Sequence, residues 1–130
     1  MRAGWESWSL EVLPDWMVED DPDCLTIYHP NGVGAFQLSS GKKKEGNVTL
    51  EDLEFYSKPE WGQYKNCEFG EFNGHVYTFI KDNSFWCWWI LANGPVLLRA
   101  TYNSEASDKD IEIPKIEQML QTLKREQNHA

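Results

Sequence analysis

The sequence predicts an α+β domain in which an antiparallel sheet of about six or seven strands carries one short helix and a C-terminal helix. Asn-Gly pairs stand at 31–32, 73–74 and 93–94, and this pair favours the left-handed backbone of a tight hairpin turn. The segments between the pairs alternate apolar and polar residues, as half-buried strands do. The chain of 130 residues is 41% hydrophobic and 14% aromatic, which is enough for one core, so residues 1–130 are expected to form a single domain.

The N-terminal part is predicted to hold three strands. The first covers residues 5–12, and the Leu-Pro-Asp-Trp sequence at 13–16 ends it. Its inward side is expected to comprise Trp8, Leu10 and Val12. The acidic residues 19–23 are expected to form a loop. Residues 24–28 and 34–39 then form a hairpin through the first Asn-Gly pair.

A short helix is predicted to begin after Thr49. Thr49 and Asp52 have the spacing of a capping box, and the helix is expected to end before Pro59. Its apolar face would comprise Leu50, Leu53 and Tyr56. Residues 60–66 form a connection in which Trp61 is expected to be exposed.

Four more strands and the last helix are predicted in the second half of the chain. The strands cover residues 67–72, 75–81, 85–92 and 96–102. Their turns are predicted at Asn73-Gly74, Asp82-Asn83 and Asn93-Gly94. Pro114 suits the first turn of the helix, whose apolar stripe would comprise Ile116, Met119, Leu120 and Leu123. The tail from Glu126 onward is expected to fray.

The predicted two-residue turns define which residues share a face of the sheet, because loop length sets the register of a hairpin. Asp82-Asn83 places Phe79 opposite Trp86, Tyr77 opposite Trp88 and His75 opposite Ile90. Asn93-Gly94 places Arg99 across from Trp88, and Asn73-Gly74 adds Glu68, Gly70 and Phe72 to the same face.

The other face of this sheet is almost wholly apolar and is expected to form the main core. It would comprise Val76, Thr78, Ile80, Phe85, Cys87, Trp89, Leu91, Val96, Leu98, Ala100 and Tyr102, with Cys67 and Phe69 beside them.

The first face mixes aromatic and polar side chains and is the predicted binding site. Its candidate residues are His75, Tyr77, Trp86, Trp88 and Arg99. Trp, Tyr and Arg contribute an unusually large share of the binding energy at protein interfaces. The alternative is structural: a helix covers the rings, and Arg99 stacks on Trp88 as a cation–π contact within the fold.

No residue set indicates catalysis, a metal or a cofactor. His29, His75 and His129 fall in different elements. Cys24, Cys67 and Cys87 have long spacings and are expected to be reduced and mostly buried. On the predicted register, Cys87 and His75 point to opposite faces, so they cannot form a nucleophile pair.

The net charge disfavours some classes of binding partner. Lys and Arg number 12 against 21 Asp and Glu, for a net charge of -9, which disfavours nucleic acid and anionic lipid. A basic protein or a cationic ligand is more compatible, although the charge can also serve solubility alone. No signal peptide or membrane span is evident, so the expected location is the cytoplasm.

Three segments carry a resemblance to a known family. They are Trp8-Ser9-Leu10-Glu11-Val12-Leu13-Pro14-Asp15-Trp16, Leu25-Thr26-Ile27-Tyr28-His29-Pro30 and Gly34-Ala35-Phe36-Gln37-Leu38-Ser39. With the order of elements, they resemble the PsbP-like superfamily, which includes DcrB-like bacterial proteins, photosystem-associated proteins and a Ran-binding nuclear import factor. The resemblance implies an α/β/α sandwich with a central antiparallel sheet and a binding or accessory role.

The expected function is therefore a non-enzymatic protein-binding module, such as an adaptor, chaperone or immunity protein of a bacterial cytoplasm. The alternatives are a small-ligand binder with an aromatic pocket on the sheet and, third, an enzyme of unknown class. Fold resemblance alone does not decide among them.

Overall fold

The computed structural model describes residues 1–57 and 63–127, and these residues form mostly antiparallel sheet with two helices. The larger sheet has seven strands, which confirms the α+β prediction. In spatial order they are β3 (Met17–Asp20), β4 (Leu25–Tyr28), β5 (Gly34–Lys42), β9 (Val96–Glu105), β8 (Ser84–Asn93), β7 (Phe72–Lys81) and β6 (Lys65–Phe69). A smaller sheet contains β1 (Arg2–Trp5), β2 (Trp8–Glu11) and β10 (Lys124–Arg125).

The N-terminal strands differ in part from the prediction. The single strand expected at 5–12 is a hairpin, because residues 2–5 pair with 8–11 around a turn at Glu6 and Ser7. Trp8, Leu10 and Val12 are buried, as predicted. The acidic loop expected at 19–23 begins two residues late, since Glu19 and Asp20 belong to edge strand β3, where their carboxylates are exposed to water.

One of the predicted hairpin turns is confirmed in full. Asp82 and Asn83 have φ angles of 53° and 67°, as a type I′ turn requires. Strands β7 and β8 therefore pair as predicted, with Phe79 opposite Trp86, Tyr77 opposite Trp88 and His75 opposite Ile90.

The turn predicted at Asn73-Gly74 is wrong. The chain turns at Gly70-Glu71, where Gly70 has φ 59°, and Phe69 pairs with Phe72. Gly74 lies inside β7, where a Cβ atom would come within 2.0 Å of the Ile90 carbonyl oxygen, so close strand contact explains this glycine. Phe72 consequently lies in the core and not on the face that carries Tyr77 and Trp88, while Gly70 lies in the turn.

The other two Asn-Gly turns also differ from the prediction. The turn predicted at Asn93-Gly94 comprises Gly94 and Pro95 instead. Gly94 has a φ of 57°, and Asn93 pairs with Val96. Arg99 therefore faces Ile90, and Thr101 faces Trp88. The shift in pairing is even, so each residue keeps its predicted face. Asn31-Gly32 is not a type I′ turn, because neither residue has a positive φ and the loop spans residues 29–33.

The main core lies between the larger sheet, the smaller sheet and helix α2 (Ile113–Leu120). On the predicted core face, the residues of β8 and β9 are buried from Phe85 to Tyr102. Cys67 and Val76 are partly buried, and Thr78 and Ile80, near the far end of β7, are exposed. Helix α2 begins with Pro114 in its first turn, as predicted. Its stripe is buried and comprises Ile116, Met119 and Leu120, followed by Leu123.

The C-terminal tail begins later than expected. Glu126 was expected to fray, yet its N–H donates to the carbonyl oxygen of Ser7 at 3.0 Å. This bond continues the pairing of β10 with β2. Residues 128–130, which include His129, lie outside the described residues.

Helix α1 (Leu50–Tyr56) packs on the opposite side of the larger sheet from α2. The capping box at Thr49 and Asp52 is confirmed. Only Leu53 of the predicted apolar face is buried, while Leu50 is 63% and Tyr56 46% exposed, because a helix of 7 residues meets the sheet at one point. The helix ends before Pro59, which with Trp61 lies outside the described residues.

No helix in the described part of the chain is both long enough and apolar enough to cross a membrane.

Truncation of the core should reduce stability strongly. Trp89→Ala and Leu98→Ala should each lower the free energy of unfolding by about 2–5 kcal/mol, because both side chains are buried and leave a cavity. Ile80→Ala is the matched control, since Ile80 is exposed on the same face and should cost no more than about 0.5 kcal/mol. Urea denaturation measures all three, and equal losses would contradict the face assignment.

Candidate functional site

The predicted binding residues lie on one face of strands β7, β8 and β9, which we call the aromatic face. The structure brings Tyr77, Trp86, Trp88 and Arg99 together on it, in the neighbourhood of His75. The five residues differ in their exposure to solvent. His75 and Tyr77 are buried, Trp86 and Trp88 are partly buried, and Arg99 is exposed.

The rings form one connected group. Tyr77 lies 6.0 Å from Trp88, and Phe79 lies 6.2 Å from both Trp86 and Trp88, measured between ring centroids. These separations are typical of favourable aromatic pairs. Phe79 is the member that links the two tryptophans, and it was missing from the predicted site although the register already placed it opposite Trp86.

Arg99 is held against this group. Its guanidinium carbon lies 5.4 Å from the centroid of the Trp88 ring, within the range of a cation–π contact. The contact runs diagonally across the sheet, because Arg99 is paired with Ile90 and not with Trp88. An exposed guanidinium is thereby oriented beside a partly exposed indole.

Helix α1 covers only one end of the aromatic face. Leu53 packs with Tyr77, Ile90 and Ala92 in a second buried cluster. Phe79 and Trp88 are partly buried and pack against this cluster. Among residues 1–57 and 63–127, the cover expected under the structural alternative is therefore present over Tyr77 and incomplete over Trp86 and Trp88.

His75 has a structural environment. Its Nδ1 lies 2.9 Å from the Ser57 hydroxyl, and Tyr64 stacks on the ring at 3.8 Å. Burial lowers the pKa of His75, and the carboxylate of Glu54 opposes this only in part. The residue therefore joins the end of α1 to the sheet, and little of its imidazole is accessible to a ligand.

The face continues beyond the rings as a polar surface. A row of paired residues leads from Trp88 to Thr101, Gln37, Thr26 and Glu19 across four further strands. Gln37 donates to the Thr26 hydroxyl at 3.3 Å. The exposed part of the sheet is thus aromatic on one side and lined with amide and hydroxyl groups on the other.

Two clefts on the described surface are lined by residues other than these rings. One, of about 300 Å³, is lined by residues that include Lys43, Val48, Asp52 and Leu97. The other, of about 390 Å³, is lined by residues that include Trp16, His29 and Glu112. Sequence reasoning missed the second cleft, because these three residues are distant in the chain and no motif connects them.

The cysteine thiols and the possible metal ligands are weaker candidates for a functional site than the aromatic face. Burial raises the pKa of the Cys67 thiol to about 11 and that of the buried Cys87 thiol still further, so both stay protonated and weakly nucleophilic at neutral pH. Cys24, Cys67 and Cys87 are all free. Within residues 1–57 and 63–127, no three His, Cys, Asp or Glu side chains are grouped as metal ligands.

Acidification should loosen the contact between His75 and α1. A lowered folded-state pKa means that the unfolded chain, with a His pKa of about 6.5, binds the proton first, so stability falls as pH drops below about 6.5. Carboxylates with lowered pKa, such as Asp52, lose their contribution only below about pH 4. Urea unfolding between about pH 5 and 7 therefore isolates the histidine.

The variant His75→Gln should flatten the pH dependence in this window, because it removes the titrating group. Ser57→Ala is the matched control: it deletes the hydroxyl partner but leaves the imidazole buried, and should keep the slope. An unchanged slope in His75→Gln would refute the assignment.

Comparison with known proteins establishes the fold and no more. No family model matches the chain, and no curated protein matches its sequence. A crystal structure of a protein from Bacteroides thetaiotaomicron VPI-5482 is similar, with a TM-score of 0.65 and 16% sequence identity. The match covers 95% of this chain and 46% of that chain, so this chain spans less than half the length of the similar protein.

Proposed function

We propose that the chain is a non-enzymatic protein-binding module that docks a basic partner on the aromatic face. The observation that carries the proposal is the incomplete cover of this face. Helix α1 buries Tyr77 and Ile90, whereas Trp86 and Trp88 remain partly exposed beside an exposed Arg99. If this face of the sheet served only to pack against a helix, these rings would be expected to be buried.

The residue types favour a protein partner. Trp, Tyr and Arg dominate the energy of protein interfaces, because large rigid side chains bury much area at a low entropy cost. Here the contacts among Phe79, Trp86 and Trp88 hold the rings in place before binding, which lowers the entropy cost of ordering them in a complex.

Helix α1 adds further apolar surface on the same side of the sheet. Its side chains that point away from the sheet include Leu50 and Phe55, and Phe55 is 78% exposed. Exposed apolar groups near an incompletely covered face are typical of an interaction surface. The partner is therefore expected to contact α1 as well as the strands.

The charge favours a basic partner. Acidic residues number 21 against 12 basic ones, and the outward side of α1 carries Glu51 and Glu54. Complementary charge accelerates the association of such partners. The resemblance to the PsbP-like superfamily adds the finer parts of the proposal: an α/β/α sandwich, and an adaptor, chaperone or immunity role in a bacterial cytoplasm.

The alternatives have less support. A small-ligand site around Trp86, Trp88 and Arg99 would need a cavity, and the clefts of about 300 and 390 Å³ described above are lined by other residues. His75, the best candidate for a catalytic residue, stacks on Tyr64 and is only 1% exposed. Both remain secondary proposals.

Substitution on the aromatic face should weaken partner binding. The double variant Trp86→Ala/Arg99→Ala removes two large side chains of the types that dominate interface energy, so affinity should fall at least about tenfold, since central interface residues contribute about 2 kcal/mol or more. The measurement is affinity capture with the intact chain, followed by titration of the recovered protein. Capture should also weaken as salt rises, because screening reduces charge attraction.

Ile80→Ser provides the matched control, because Ile80 is an exposed apolar residue on the other face. It should leave affinity unchanged. Equal loss in Ile80→Ser, or a partner that binds the double variant as tightly as the natural chain, would reject the aromatic face as the interface.

A further inference from the structure

A cleft at the α2 end of the molecule is distinct from the aromatic face. It has a volume of about 390 Å³ and is formed where loops 13–16 and 29–33 meet the start of α2. Tyr102, whose hydroxyl donates to the lining residue Glu112, belongs to the core face of the sheet, so the cleft lies on the opposite side from Trp86 and Trp88. Its size falls within the range of about 300–1,000 Å³ that ligand sites occupy.

A buried carboxylate lines this cleft. Glu112 is only 6% exposed, and its Oε1 accepts hydrogen bonds from the Tyr102 hydroxyl at 2.8 Å and from the Val33 N–H at 3.3 Å. Burial, together with the bond to Glu112, raises the pKa of Tyr102, so its hydroxyl stays protonated and acts as the donor. Both donors thus hold one oxygen of the carboxylate.

The second oxygen of Glu112 is left for another group. No donor to Oε2 is found in the described part of the chain, and the ion pairs found there involve Glu11 and Asp52 instead. Oε2 lies beside Gly32, where a Cβ atom would be only 2.4 Å away. Glycine therefore lets the carboxylate approach loop 29–33 closely. Oε2 itself reaches the open cleft, because it is not one of the buried, unpartnered side-chain atoms of the described residues. A largely buried carboxylate gains from a cation there, because no ion pair compensates for the hydration that it loses.

The walls of the cleft suit a cation that carries an apolar chain. Trp16 and His29 meet edge to face at 5.8 Å, and aromatic faces attract cations. Leu13 and Val33 add aliphatic surface, and Asp15 adds a second carboxylate. Lys115, at the rim, is exposed.

We propose that this cleft binds a small organic cation, a short alkyl chain that ends in an ammonium or guanidinium group. The charged end donates to Glu112 Oε2, and the chain lies along Trp16 and Val33. This site does not depend on the proposed protein-binding function, because it uses other residues on the other side of the sheet.

The test is a titration of the ¹⁵N-labelled chain with n-butylammonium chloride, followed by ¹H–¹⁵N NMR. Saturable shifts are expected at the Trp16 indole N–H and at the amides of loop 29–33, while n-butanol, the uncharged analogue, should give none. Glu112→Gln keeps an acceptor for Tyr102 and Val33 but removes the charge, so the dissociation constant should rise about tenfold or more. The spectrum also reports whether the variant is folded.

Two variants on α2 make the test specific. Glu117→Gln removes the same charge from an exposed position on the same helix and should change affinity less than about twofold, as exposed charges interact weakly. Lys115→Gln removes the ammonium group at the rim of the cleft, which competes with the ligand for the Glu112 carboxylate, so this variant should bind the ligand more tightly. It tests the site even if Glu112→Gln does not fold.

The proposal would be overturned by equal shifts with n-butanol, by equal weakening in Glu117→Gln and Glu112→Gln, or by weaker or unchanged binding in Lys115→Gln. Parallel titrations with n-butylguanidinium and with Nα-acetyl-lysine methylamide distinguish a free amine or guanidine from the side chain of a peptide. Saturable binding of either at the same resonances supports the site, and binding of none of the three cations excludes it.

Discussion

The pairing of strand β8 with β7 and β9 is the constraint on which the rest of the structure depends. β8 pairs with β9 along its full length and with β7 from Ser84 to Ala92, and its alternating side chains enter two separate clusters. Phe85, Cys87, Trp89 and Leu91 lie in the main core, while Ile90 and Ala92 lie beneath α1. A slip of one residue would exchange these sets and expose the core. The type I′ turn at Asp82-Asn83 prevents such a slip, because both residues adopt the left-handed conformation that it requires.

The candidate interface follows from the length of α1. A helix of 7 residues buries one large side chain, Leu53, and covers the sheet only around Tyr77 and Ile90. The tryptophans farther along β8 are left partly exposed, and Arg99 rests on Trp88 at 5.4 Å. The Ser57–His75 contact at 2.9 Å holds the end of the helix against β7. Partial cover is thus a property of the fold, and the proposed binding surface is the part of the face that it leaves open.

Much of the sheet could be predicted from local patterns, and the errors have a common cause. Glycine occurs both where a turn needs a positive φ and where two strands approach closely. Gly70 and Gly94 serve the first purpose, and Gly74 serves the second, so an Asn-Gly pair alone did not distinguish them. The site residues Tyr77, Trp86, Trp88 and Arg99 were still placed on one face, because the pairing of β9 shifted by an even number. Phe72 moved to the core because the turn lies before it, so that it begins β7 and shares a face with Val76.

The sequence by itself determined the alternation of apolar side chains, the capping of α1 and the apolar stripe of α2. Each of these depends on interactions within a few residues, or on the period of a regular element. Only the tertiary structure decided how far α1 covers the aromatic face, that His75 is buried, and that Glu112, Trp16 and His29 meet around one cleft. These features depend on contacts between segments far apart in the chain, such as the bond from Tyr102 to Glu112 and that from Val33 to Glu112. No local propensity encodes such contacts, because they form only when the whole chain packs.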